Sequence, residues 1–164
     1  MDVDRLRQAL GSAAALHIGD LSATIPAFLA ELDPTAPIGF VALDLDYYSS
    51  TVDALRVFIG DPRSYLPLTV VYADDISLEP HNSACGMTLA INEFNANTPM
   101  RRIEPHRFFE TWRIFRRATW LKQILFLHVL DHPRRCTVNP SETKRYIENP
   151  WVDWEQQGER FSVE

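Results

Sequence analysis

The sequence predicts an α/β domain, a mostly parallel β-sheet flanked by helices. Three observations carry this. The segments GFVAL at 39–43 and LPLTVVY at 66–72 are near-continuous apolar runs, the pattern of parallel strands covered on both faces rather than of half-solvated ones. Stretches with helical spacing and cap residues alternate with such runs along the chain. Both runs end in carboxylates, Asp44 and Asp46 after the first, Asp74 and Asp75 after the second, and open α/β sheets bind ligands at the carboxyl ends of their strands.

In chain order, an amphipathic helix is expected over 3–10, then a strand over 13–18 that Asp20 closes. Ser22 is placed to cap a helix over 22–32, with Pro26 tolerated in its first turn, and DPTAP at 33–37 breaks it. The strand over 38–44 follows. Ser49, Ser50 and Thr51 are cap candidates for a helix over 51–59, which Gly60, Asp61 and Pro62 end. The strand over 68–73 leads into a polar loop, SLEPHNSACG, and a helix over 87–95; a long loop after a strand end is where function concentrates. Over 105–118 a helix is expected whose stripe of Phe108, Phe109, Trp112, Ile114 and Phe115 reads as core or interface. A strand of mixed character over 120–130 completes the series, and the tail from Thr137 has few periodic features.

A chain of 164 residues with 46% hydrophobic content fits one domain, spanning 1–164, with a core of ordinary size. The net charge of −6 argues against nucleic acid as a partner. Arg101, Arg102, Arg107, Arg113, Arg116 and Arg117 are the local exception, read as an acid-paired or solvated face around a helix. Cys85 and Cys136 lack the spacing of a zinc or redox motif and suit a reduced interior. The first residues do not read as a signal peptide and no apolar stretch is long enough to span a bilayer, so a cytoplasmic protein without a membrane partner is expected.

Four carboxylates gathered at one sheet edge repel one another, and a divalent cation or protonation relieves that repulsion. For an isolated Asp-Asp pair the plainer reading is one turn residue and one solvated residue; two acidic strand ends in consecutive units shift the balance toward a site. Asp44 and Asp46 also fit a rival chemistry, the Asp-x-Asp with which many glycosyltransferases hold a metal and a nucleotide-sugar diphosphate. His128 and His132 invite a metal by spacing, but on an extended segment residues four apart stand about 13 Å from each other, which favours a buried, hydrogen-bonded His128 and a turn at His132.

Taken together, IGFVALDLDYYSSTVDAL, LTVVYADDI, and a glycine followed by AINEFN resemble the macrocin O-methyltransferase family of class I S-adenosylmethionine-dependent enzymes. The resemblance covers roughly 13–94 and implies a partial Rossmann-like methyltransferase sheet, with 1–164 matching the C-terminal part of such a fold and the segment KQILFLHVLDHP its closing hairpin. It implies that Asp44, Asp74 and Asp75 bind Mg2+ or a similar divalent ion, with Asp46 in support, and that Asp20 contacts the adenine of S-adenosylmethionine. His81 and Asn82, in the loop after Asp75, are placed to reach a small-molecule acceptor such as a sugar, and His81 is the candidate base by location. The glycine-rich loop that cradles the cofactor's methionine in this family has no counterpart in 1–12, so the cofactor pocket is expected to be incomplete in this polypeptide, and exposed strand edges favour a homo-oligomer. A degenerate relative that binds without catalysing is the alternative from another class.

Overall fold

The computed structural model describes residues 2–77, 82–105 and 118–136. Two capped helices open the chain. In α1, Val3–Leu10, the Asp2 carboxylate accepts from the N–H groups of Asp4 and Arg5 at 3.1 and 3.2 Å, and Gly11 ends the helix at φ +56, as the left-handed region favours. In α2, Leu21–Glu31, the cap is Asp20 rather than Ser22: its carboxylate accepts from the Ser22 N–H at 2.8 Å. Pro26 is therefore the sixth residue of α2, beyond the first turn, and its missing N–H leaves the Ser22 carbonyl without the usual partner four residues on. Between the two helices the expected strand over 13–18 is absent; those residues adopt no regular structure and all but Leu16 are exposed. The run AAALHI is rich in alanine, a poor strand former, and no neighbouring strand overrides that tendency.

Four strands follow: β1, Ile38–Leu43; β2, Tyr65–Ala73; β3, Arg101–Pro105; and β4, Ile124–Val129. They form one open sheet in the order β1-β2-β4-β3. The sheet is not mostly parallel. Only β1 and β2 pair parallel, because β4 runs backward between β2 and β3 and is antiparallel to both. β1, β2 and β3 thus share a direction, yet two of the three ladders are antiparallel. The sequence placed Arg101 and Arg102 near a helix, but they form β3; of the helix expected over 105–118, Pro105 ends β3 and residues 106–117 lie outside the described residues, as does the tail from Thr137.

Helix α3, Tyr48–Leu55, starts three residues before the expected point, and a 3-10 turn, Arg56–Phe58, extends it. The hydroxyls of Ser50 and Thr51 do not cap it from in front; they donate back to the Tyr47 carbonyl, both at 2.9 Å. Helix α4, Gly86–Asn97, packs beside α3. From these helices Ala54, Leu55, Met87, Ala90 and Ile91 meet Leu43, Val71, Ala73, Ile103, Leu125, Leu127 and Val129 of the sheet in one buried cluster. The expectation of a sheet covered on both faces also fails among the described residues. On the face away from this core Phe40 is 60% exposed and Leu68 41%, while Val70 and Phe126 are half-buried.

Arg101 ties the amino ends of the strands to the turn after α3. Its guanidinium is buried, donates to the carbonyls of Phe58 at 3.0 Å and Gly60 at 3.1 Å, pairs with Asp131, and lies 5.7 Å from the centre of the Tyr65 ring. The Tyr65 hydroxyl donates to the Val57 carbonyl at 2.7 Å and accepts from the Gly60 N–H at 2.8 Å. Gly60 is required there, because a Cβ would stand 2.6 Å from that hydroxyl oxygen. No described helix is long and apolar enough to cross a membrane.

Candidate functional site

The site begins with strand register. Leu43 of β1 sits opposite Ala73 of β2 in the parallel ladder, so the residues that follow, Asp44 and Asp74, leave the sheet side by side at its carboxyl edge, with Asp75 next in a 3-10 turn, Asp74–Ser77. Asp44 and Asp46 are exposed and Asp74 is half-buried.

Asp75 differs in kind. It is only 5% exposed, and its Oδ2 accepts from the Leu45 N–H at 3.1 Å, which ties the turn after β2 to the turn after β1. An ionised carboxylate can accept about four hydrogen bonds. Among the described residues Oδ1 of Asp75 has no partner, so a buried anion retains an open oxygen facing neither an arginine nor a lysine.

Asp74 is held on one side only. The Tyr72 hydroxyl donates to its Oδ1 at 2.7 Å, and the Gln123 amide donates to its backbone carbonyl and, at 3.3 Å, to the same Oδ1. Its Oδ2 is left open among the described residues. The Tyr72 phenol is raised above its ordinary pKa, first by the hydrogen bond to Asp74, then by burial, and then by the charges of Asp74, Asp44 and Asp75. One phenol thus senses all three carboxylates, which marks the edge as a concentration of negative charge.

At the rim, the Tyr48 hydroxyl at the start of α3 donates to Glu93 of α4 at 2.5 Å, and that hydrogen bond raises the phenol's pKa. Tyr47 beside it is 72% exposed. Asn82 accepts from the Ala84 N–H at 2.9 Å and shapes the turn that leads into α4. His81 lies outside the described residues. Asp20 is exposed, and its capping hydrogen bonds to Ser22 hold its carboxyl below the usual carboxylate range.

As metal ligands the acids fit in part. Among the described residues Asp44, Asp74 and Asp75 each keep an open oxygen at the same edge, the donor type a hard divalent ion takes. Among the described residues, however, no group of three or more His, Cys, Asp and Glu side chains stands close enough to hold an ion. Tyr72 and Gln123 were not singled out from sequence. Tyr72 was recoverable, since it lies two residues before Asp74 and alternate strand residues share a face; Gln123 reaches the site only through the β2–β4 pairing.

Neither a protein-family model, nor a curated protein, nor a solved structure matches the chain.

Proposed function

We propose that this chain is a methyltransferase-type domain that holds a divalent cation between Asp44, Asp74 and Asp75 and, with its cofactor pocket completed, transfers a methyl group from S-adenosylmethionine to an oxygen of a small-molecule acceptor. The observation that carries this reading is Asp75: a buried carboxylate with, among the described residues, one hydrogen bond and an open oxygen, and with two further acidic strand-end residues beside it. An uncompensated buried charge costs several kcal/mol, and a bound cation removes that cost. The order of elements supports it as well. A parallel pair with acidic ends, followed by a final strand reversed between β2 and β3, is compatible with the partial Rossmann-like sheet and closing hairpin that the resemblance implies.

A hard divalent ion at such an edge supplies Lewis acidity to an acceptor hydroxyl. The protein's own contribution is orientation. The Leu45 N–H holds one oxygen of Asp75, Tyr72 and Gln123 hold Asp74, and the Tyr48–Glu93 bond ties α3 to α4 at the rim, so an acceptor entering between the two strand ends meets fixed groups rather than mobile ones.

Calorimetric titration of S-adenosylmethionine into the purified chain, with magnesium and then with excess chelator, tests the reading. Binding that requires the metal supports it. A folded protein that takes up neither magnesium nor S-adenosylmethionine refutes it.

A further inference from the structure

We infer that His128 and His132 form a pH-operated latch: their neutral rings hold the helical turn Pro133–Cys136 against the end of β4, and protonation releases that turn while the sheet stays folded. Such a latch stands apart from the methyltransferase reading and would remain if that reading failed.

Two successive residues of the turn are held by the same kind of atom. The Arg134 N–H donates to Nδ1 of His132 at 3.1 Å, and Nη2 of Arg135 meets Nδ1 of His128 at 3.1 Å. A backbone amide and a guanidinium can only donate, so in both contacts Nδ1 is the acceptor and carries no proton. An imidazolium has no acceptor left. A proton added to either ring therefore replaces a hydrogen bond by two donors face to face. The turn depends on such ties, because it is four residues long, and a single helical turn does not persist without neighbours. It follows directly on His132, whose ring is buried.

The charges around the rings give the latch its direction. His128 alternates with the buried Leu127 and Val129, so it stands on the outer face of the sheet, between Leu68 of β2 and Arg102 of β3. Among the described residues it faces Arg102, Glu104 and Arg135. His132 faces Arg134, Arg135 and Asp131 and hydrogen-bonds to the Tyr65 backbone; Asp131 is itself paired with the buried Arg101 guanidinium. Burial is the largest influence on both rings and the arginines add to it, so both lie below the usual histidine value of 6.5 while the turn is in place, against the opposing pull of Glu104 on His128 and of Tyr65 and Asp131 on His132. Release returns the rings to water and to their ordinary affinity for protons. Acid therefore favours release and neutral pH favours the held state, with the change falling below about 6.5.

Amide hydrogen exchange of the full chain, read as protection factors at a series of pH values, is the test. The expected result is that the amides of Arg134, Arg135 and Cys136 lose about tenfold in protection one pH unit below 6.5, while those of β2 and β4 keep theirs. The double variant His128→Asn with His132→Asn sets a side-chain oxygen near the place of each Nδ1 and does not titrate, so it should hold the turn through the same range; circular dichroism shows whether it folds. Arg135→Met, at an exposed position and therefore compatible with the fold, removes one tie without altering either ring and should lower the turn's protection at neutral pH about fivefold. A wild-type turn whose protection does not change with pH overturns the inference. So does a loss that the sheet amides share, which would mean unfolding of the whole, or one that the folded double variant reproduces in full. Unchanged protection in Arg135→Met overturns it too, since the His128 contact would then hold nothing.

Discussion

Arg101 shows what one side chain does when three segments converge on it. Its guanidinium satisfies carbonyls of the turn after α3, pairs with Asp131 and lies over the Tyr65 ring, and so joins the amino end of β3 to all three. Breaking a buried pair from one side costs about 3–5 kcal/mol, because the other partner and the carbonyls are left unsatisfied. Arg101→Met is expected to lower stability by about that amount in urea denaturation, and Arg101→Lys to recover little, since an ammonium cannot reproduce the planar fork. Asp75 makes the opposite case. Asp75→Asn retains an oxygen for the Leu45 N–H while removing a buried charge that has no counter-ion among the described residues. In metal-free buffer the variant should therefore unfold at a higher urea concentration than the wild type. Added magnesium, which should raise the wild-type midpoint through linkage, should leave the variant's unchanged. A variant less stable than wild type without metal would mean that the charge is already compensated.

At the scale of elements, α2 holds a correctable flaw. Pro26 interrupts the helix at its sixth residue and is exposed, so Pro26→Ala restores a backbone donor for the Ser22 carbonyl without disturbing packing. An interior proline costs a helix about 3 kcal/mol, partly offset by the stiffer unfolded chain that proline provides. The variant should melt several degrees higher by calorimetry. That proline also shows where sequence reasoning stopped. The helix was legible, but its start was set by Asp20, and a shift of the cap by two residues moved Pro26 from a harmless position to a costly one. β1 and β2 were legible because their segments are apolar throughout, although Phe40 and Leu68 stand exposed on the outer face, and their register then brings the acidic residues together. β3 was not legible, because RRIEP reads as a charged segment; it becomes a strand only as the edge partner of β4, with Arg101 buried by contacts distant in sequence. Strand direction was hidden for a related reason. Whether Ile124–Val129 runs with or against β2 depends on how the chain returns between β3 and β4, which the composition of β4 does not encode.

At the scale of the whole molecule, the described residues give pH two separate windows of action. His132 is buried and His128 half-buried; burial is the largest influence lowering both below the usual histidine value of 6.5, and neighbouring arginines, Arg134 and Arg135, lower them further. His132 accepts from the Arg134 N–H at 3.1 Å through Nδ1, a contact that requires that nitrogen unprotonated. Because the folded values lie below the unfolded one, the unfolded chain binds more protons between them, and stability rises with pH through that window and levels off above about 6.5. Asp20, Asp33 and Asp61 act lower down. Hydrogen bonds from Ser22, Thr35 and Arg63 depress them below 3.8, Asp61 to about 2, so their contribution is present above 3.8 and is lost as pH falls toward 2. Urea midpoints measured from pH 8 downward should stay level, fall through a first step below 6.5, and fall again below 4. His132→Gln should shrink the first step and leave the second in place, since glutamine does not titrate and the groups that depress Asp20, Asp33 and Asp61 do not include His132. If the first step persisted at full size in that variant, the pH sensitivity would lie with His128 and its cross-strand neighbours Arg102 and Glu104 rather than with the buried ring beside Tyr65.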